Sequence, residues 1–267
     1  MTTPANARKL VLITGGAGRI GTALRQLLAP QYRLRVVDLR PPSVAAAEDE
    51  EVLQADTADL AAAERVMHGG VDAMVHLAGN PATTASWDEV NHSNIEGTYS
   101  VFEAARRQGV PKVVFATTNH VMGFYNLEGA WPVRVDQPIR PDSYYGVSKA
   151  FGEALARYYA DAFGMSMMCI RIGWFLERPR VKQSLGLWIS PRDLAQLVRL
   201  CIESERRFGI YNGESNNSLG QWDLSAARSE LGYAPVDDSA HYADEVEDDG
   251  QGYVRPQAGA ERGAAHE

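Results

Sequence analysis

The chain has 267 residues, 45% of them hydrophobic, and a formal net charge of −8. That length supports one large core, or one core with a small lobe. The acidity excludes a basic nucleic-acid surface and opposes an anionic membrane. Part of it is local, because many of the carboxylates fall in residues 237–249.

Residues 1–9 are polar, and the first apolar run, Leu10 to Ile13, is too short for a signal peptide or a membrane span. A cytoplasmic location is expected. The two cysteines, Cys169 and Cys201, sit in apolar runs and read as buried thiols in a reducing compartment. Neither has a His or Cys neighbour at ligand spacing, so no metal site is expected.

Short apolar runs then alternate with amphipathic segments of helical length. Strands are expected at Leu10–Thr14, Arg33–Asp38, Glu51–Gln54, Ala73–Leu77, Lys112–Thr117 and Met165–Ile172. Helices are expected at Arg19–Leu28, Ala58–Met67, Val90–Gln108 and Tyr144–Phe163. This alternation predicts an α/β fold, a doubly wound parallel sheet of Rossmann type over residues 1–172. Residues 173–187 look irregular. A helix follows at Pro191–Glu203 with Ser190 as its N-cap, and another runs from near Asp223 to Leu231–Gly232. Residues 173–236 thus read as a small C-terminal substrate lobe with helices returning to the core, and residues 237–267 as an acidic, flexible tail.

Three features carry chemistry. Thr14-Gly15-Gly16-Ala17-Gly18-Arg19-Ile20-Gly21 lies between the first strand and the first helix. Gly15 permits a tight turn, Gly18 lets the backbone approach a pyrophosphate, and Gly21 lets the helix pack on the sheet. The helix N-terminus then offers free N–H groups to phosphates. Asp38, at the end of the second strand, can accept the ribose hydroxyls of NAD and would repel a 2'-phosphate; it is weighed above the nearby cations Arg19 and Arg40.

The second feature is Tyr145-Gly146-Val147-Ser148-Lys149 at a helix start. Its tyrosine and lysine, at i and i+4, project from one face. An ammonium there, together with a cationic nicotinamide, would lower the phenol's pKa and let Tyr145 take a hydroxyl proton. The third is Thr117-Thr118-Asn119-His120 at the carboxyl end of a strand, where the cofactor crevice opens. Thr118 is the candidate to orient the substrate oxygen. Asn119 and His120 could bind substrate hydroxyls, although His120 reads equally well as a loop histidine.

TGGAGRIG, Asp38, His76-Leu77-Ala78-Gly79, Asn94-Ile95-Glu96-Gly97 and YGVSK together resemble the extended short-chain dehydrogenases, the group that includes the NAD-dependent epimerase/dehydratase proteins. Phe115 to His120, Arg140 to Lys149, Arg171-Ile172-Gly173 and Leu187 to Ser190 are similar to uronate dehydrogenases, which oxidise C1 of hexuronic acids to lactones with NAD. The same segments, with Ala78-Gly79-Asn80-Pro81 and Ser86-Trp87-Asp88, resemble archaeal NAD-dependent glucose-6-phosphate dehydrogenases. The resemblance implies Thr118 in the place of the family's catalytic serine, beside Tyr145 and Lys149. It implies Asp56 and Thr57 at the adenine, and Arg19, Ile20, Leu77, Ala78, Gly79, Asn94 and Ile172 along the cofactor. It implies Pro81, Trp174 and Gln183 facing the substrate.

The sequence departs from those enzymes where they hold a substrate carboxylate. Their serine position is Trp174 here, and their arginine position falls near Gln183. A substrate anion would have to meet Arg178, Arg180 or Lys182, unless that stretch is a solvated basic loop. The leading expectation is therefore an NAD-dependent dehydrogenase acting on a sugar, a hexuronate or related aldose. A sugar-phosphate dehydrogenase, a sugar-nucleotide epimerase or carbonyl reductase, and a cofactor-sensing regulator without turnover are the alternatives. The resemblance also implies a homodimer or larger homo-oligomer built on the helices near Val90–Gln108 and Tyr144–Phe163.

Overall fold

The apolar run Leu10–Thr14 forms β1 and is buried along its whole length, as a strand covered on both faces must be. The computed structural model describes residues 8–248. From β1 the chain runs through α1 (Arg19–Leu28), β2 (Arg33–Asp38), β3 (Glu50–Gln54), α2 (Leu60–Met67), β4 (Ala73–His76) and α3 (Trp87–Val90). A π-helical turn (Asn91–Glu96) leads into α4 (Gly97–Arg107) and β5 (Lys112–Thr118). A 3-10 turn (Asn119–Met122) and α5 (Gly123–Leu127) precede α6 (Tyr144–Phe163) and β6 (Ser166–Ile172). The remainder comprises β7 (Trp174–Phe175), a 3-10 turn (Lys182–Ser184), β8 (Trp188–Ile189), α7 (Pro191–Glu203), β9 (Phe208–Gly213), α8 (Ser225–Leu231) and a 3-10 turn (Ser239–Tyr242).

Seven strands form one parallel sheet in the order β3-β2-β1-β4-β5-β6-β9. Strand order reverses between β1 and β4, and ligand crevices open at such points beyond the carboxyl ends of the strands. The two-residue side-chain period sorts each strand between two cores. Val11, Ile13, Met168 and Ile170 join Leu24 of α1 and Leu194, Leu197 and Cys201 of α7 on one face. Leu10, Leu12, Met167 and Cys169 join Val66 of α2, Phe102 of α4 and Tyr159 of α6 on the other. This is the expected doubly wound α/β architecture.

Several boundaries differ from the sequence reading, each for a local reason. The expected helix from Val90 to Gln108 is interrupted by the π turn, which turns Asn94 into the interior. Asp59 caps α2 by accepting N–H bonds from Ala61 and Ala62, so that helix starts at Leu60 rather than Ala58. β9 was not foreseen. Its glycines at 209 and 213 weaken the strand pattern, yet it pairs with β6 from Met167 to Ile172. Residues 173–236 therefore contribute the edge strand of the main sheet.

The acidic stretch from Asp237 does not start as a loose tail. Val236 and Asp237 donate main-chain N–H bonds to Asp193, each 3.0 Å. Asp237 accepts from Ser190 Oγ at 2.6 Å and pairs with Arg192. Glu247 bridges to Val181. The carboxylates that suggested solvation are used to fasten this segment to the lobe. Residues 249–267 of the expected tail lie outside the described residues.

Arg171 interrupts the apolar β6 and is 2% exposed. Its guanidinium forms a two-pronged pair with Glu153 of α6, at 2.9 and 2.8 Å, and Thr117 Oγ1 of β5 donates to the same carboxylate. Removing one partner strands a buried charge, which typically costs about 3–5 kcal/mol. Glu153→Ala is expected to lower the unfolding free energy by that amount, read from the shift of the midpoint in urea titration. Replacing both Glu153 and Arg171 by apolar residues is expected to recover much of the loss.

Candidate active site

The glycine loop after β1 is shaped by what cannot fit. Gly15 has φ of +70°, and a Cβ there would lie 2.7 Å from the main-chain N of Ala78, so the loop lies directly against the exit of β4. A Cβ on Gly21 would lie 2.5 Å from Gly15 O, which presses α1 onto the loop. Gly18 precedes α1, whose first turn has no side-chain cap. Its N–H groups are left for an external acceptor, as a pyrophosphate site requires. Arg19 is exposed and Ile20 packs against the sheet core.

Asp38 ends β2 beside this loop. Its carboxylate accepts N–H bonds from Ala17 (3.0 Å) and Arg40 (3.1 Å). It thereby braces the loop, and a carboxylate's further lone pairs can still accept hydroxyls. Asp56, after β3, accepts from Ala58 N at 2.9 Å, and Thr57 next to it is buried. These residues form the β1–β2–β3 end of the crevice.

The other end is organised by Asn94. Its Oδ1 accepts from Asn80 N at 2.7 Å, and its Nδ2 donates to Asn80 O and to Ser148 Oγ at 3.0 and 2.9 Å. One side chain thus ties the loop after β4, with Leu77, Ala78 and Gly79, to the first turns of α6. π turns recur at functional positions for this kind of re-aiming. Pro81, further along the loop, is exposed.

α6 crosses β5 at close range. A Cβ on Gly152 would lie 2.4 Å from the Phe115 ring, and one on Gly146 would lie 2.4 Å from His120 O. This contact brings Tyr145 and Lys149 to the end of β5. Thr118 Oγ1 donates to Asn119 Oδ1 at 3.3 Å and lies close enough to the Tyr145 phenol to influence its pKa, and the His120 ring centroid lies 6.0 Å from that of Tyr145. The Lys149 ammonium stands 4.7 Å above the Phe115 ring. His76 also stacks on Phe115, with its Nδ1 2.7 Å from Thr14 Oγ1. Burial, then the Lys149 charge, push the His76 pKa down to about 3, so its ring stays neutral.

Burial also acts on the tyrosine–lysine pair, and against the simplest expectation. It pushes the Tyr145 phenol up to about 12, with the Thr118 hydrogen bond opposing it. It pushes the Lys149 amine down to about 8. The i,i+4 lysine therefore does not make a phenolate in the unliganded protein, because desolvation dominates. Asn119 is buried beside Thr118, and its Nδ2 has no hydrogen-bond partner among the described residues. A donor left this way fits a ligand oxygen.

The substrate-side candidates divide. Thr118, Asn119, His120 and Tyr145 come together. Trp174 is half-buried in β7, which pairs with β8, and Gln183 sits in the 3-10 turn Lys182–Ser184. Ile172 closes β6. Arg178, Arg180 and Lys182 are all exposed; Lys182 pairs with Asp248 at 3.1 Å, and Arg178 lies over the Tyr242 ring. This stretch is a solvated basic loop fastened by the chain's acidic segment. Sequence reasoning missed Glu153, Ser148 and Asp142. Only Glu153 left a signal, since an arginine within an apolar strand demands a buried partner.

A glycine loop at the switch point, an acid ending β2 and a tyrosine–lysine pair beyond β5 define the class: a parallel α/β protein built to hold a dinucleotide over a proton-transfer site. The chain belongs to the NAD dependent epimerase/dehydratase family, which matches residues 11–176. It is 39% identical to a uronate dehydrogenase of Pseudomonas putida over 92% of this chain and 90% of that protein. It is 37% identical to an NAD-dependent glucose-6-phosphate dehydrogenase of Haloferax volcanii, covering 89% and 97% of the two chains. Among solved structures, a mutant uronate dehydrogenase of Agrobacterium tumefaciens complexed with NAD superposes with a TM-score of 0.83 at 36% identity, over 90% of this chain and 89% of that one.

The depressed Lys149 pKa carries a stability consequence. The unfolded chain keeps this proton up to about 10.5, whereas the folded chain releases it from about 8. The penalty is full below about 8 and fades as pH rises towards 10.5. The shift corresponds to at most about 3 kcal/mol. Unliganded Lys149→Met is therefore expected to melt at a higher temperature than the parent near neutral pH. The gap should close near pH 10, as read by calorimetry at both.

Proposed function

We propose that the protein oxidises a sugar at C1 with NAD, converting the cyclic form of a hexuronate or related aldose to its lactone. The observation that carries this reading is the convergence of Tyr145, Thr118 and Lys149 at the carboxyl end of β5. It is supported by the sugar dehydrogenases among the chain's relatives.

The residues present fit the cofactor. The first turn of α1 with Gly15, Gly18 and Gly21 would hold the pyrophosphate, Asp38 the adenosine ribose, and Asp56 and Thr57 the adenine. Lys149 would reach the nicotinamide ribose. When bound, NAD would supply the hydride acceptor for C1 and a positive ring charge that would favour the phenolate of Tyr145. Thr118 orients the reacting hydroxyl by hydrogen bonding. Tyr145 removes that hydroxyl's proton as the C1–O bond becomes a carbonyl. Lys149 supports the phenolate electrostatically and passes no proton to the sugar. Asn119 and His120 bind neighbouring hydroxyls, and Trp174 and Gln183 close the sugar end from the lobe of residues 173–236.

The test is NADH formation over a panel of hexuronates, neutral aldoses and sugar phosphates. Turnover with a C1 hydroxyl donor is expected. Tyr145→Phe should lower it by about 10²- to 10⁴-fold while leaving NAD affinity within a few-fold. Near-normal turnover in that variant would sink the mechanism, and silence across the whole panel would sink the substrate class.

The proposal extends to a homodimer in a reducing cytoplasm. Cys169 and Cys201 are both free and buried, and no helix among the described residues is long and apolar enough to cross a membrane. On the outer faces of α4 and α6, Tyr99, Val147, Tyr158 and Phe163 are 47, 41, 58 and 45% exposed. Tyr158 and Phe163 pack ring against ring at 5.6 Å, and exposed apolar side chains of this kind suit a surface that another copy covers. Tyr158→Glu with Phe163→Glu is expected to give a monomer by light scattering, where the parent is a dimer. A parent that is already monomeric at micromolar concentration would remove the dimer.

A further inference from the structure

His120 does not stand alone. Its Nδ1 lies 3.0 and 2.9 Å from the two carboxylate oxygens of Asp142, in the loop before α6. The Asp142 side chain has no exposure, and the imidazole is 15% exposed. Ser143 Oγ donates to the same carboxylate at 3.0 Å. The backbones are tied as well: Asp142 N donates to His120 O at 3.3 Å, and His120 N donates to Thr118 Oγ1 at 3.2 Å.

Space for this pair is reserved. A Cβ on Gly123 would lie 1.8 Å from Asp142 Oδ2, so only glycine lets the carboxylate occupy its place. The same close approach of α6 that positions Tyr145 sets Gly146 against His120 O. A buried carboxylate, a partly exposed imidazole and the Tyr145 ring are therefore held in sequence by main chain on every side.

The arrangement dictates a tautomer. A carboxylate only accepts hydrogen bonds, and both of its oxygens face one ring nitrogen. A lone pair on Nδ1 would point at negative charge, so a hydrogen sits on Nδ1, and of the two neutral tautomers only the one with its lone pair on Nε2 fits. Second-sphere carboxylates set histidine roles in this way.

We propose that Asp142 is a positioning residue that holds the hydrogen of His120 on Nδ1 and so presents Nε2 to a sugar hydroxyl next to the one being oxidised. The hydroxyl partner rests on the sugar-oxidising reading above; the tautomer does not. The site then recognises the substrate by a donor O–H beside C1, and a sugar lacking that hydroxyl forfeits the contact.

The first measurement is nitrogen-15 NMR of the imidazoles in the intact protein, with His120 assigned by its loss in His120→Phe. Hydrogen on Nδ1 and a lone pair on Nε2 are expected, and the reverse assignment overturns the proposal. The second is kinetics. Asp142→Asn, whose amide can also donate to Nδ1 and permit the wrong tautomer, should raise KM for the preferred sugar about tenfold or more with a smaller change in kcat. The same variant should treat the analogue deoxygenated at C2 within twofold of the parent. Equal effects on both sugars, or none on either, overturn the role. If Asp142→Asn does not fold, the spectrum of the parent decides the tautomer, and His120→Phe decides the contact by abolishing the parent's preference for the hydroxylated sugar. A parent that oxidises no sugar at all removes the hydroxyl partner, and the spectrum still rules on Asp142.

Discussion

The closeness of α6 to β5 is the constraint on which the rest depends. Gly146 and Gly152 leave no room for a side chain between the helix and the strand. That proximity carries Tyr145 to Thr118 and His120, and Lys149 to the Phe115 ring. It also fixes the buried Arg171–Glu153 pair, since Glu153 must reach through the same gap to β6. Asn94 then pins the first turns of α6 to the loop after β4, so the helix cannot slide along the strand. Catalytic geometry and fold stability are consequences of one packed crossing.

The parts legible in the sequence were those with a strict period or a fixed steric demand. The two-sided burial of β1, β4, β5 and β6 shows as continuous apolar runs, and the glycine spacing marks a loop that must lie against the main chain of Ala78. The YxxxK spacing gives a shared helix face whatever surrounds it. What escaped depended on long-range partners. Nothing in Phe208 to Gly213 announces a strand, because its stability comes from pairing with β6. The π turn at Asn94 is a response to Asn80 and Ser148, which lie 14 residues before and 54 residues after it. Asp142 could not be linked to His120 without knowing that α6 begins beside the end of β5.

The lobe shows how one composition supports opposite readings. Acidic residues after Asp237 and basic residues at 178–182 each look solvated in isolation. Lys182 pairs with Asp248 and Arg178 lies over the Tyr242 ring, while Asp237 holds Ser190 and Arg192 of the next helix.

The opposed shifts of the tyrosine–lysine pair also set an order of events. As pH rises in the unliganded protein, Lys149 gives up its proton near 8 and Tyr145 only near 12. At neutral pH the crevice therefore offers an incoming sugar a phenol that donates, not a base that accepts. The base is thus made by the loaded crevice rather than stored in the empty one, whichever ligand enters first.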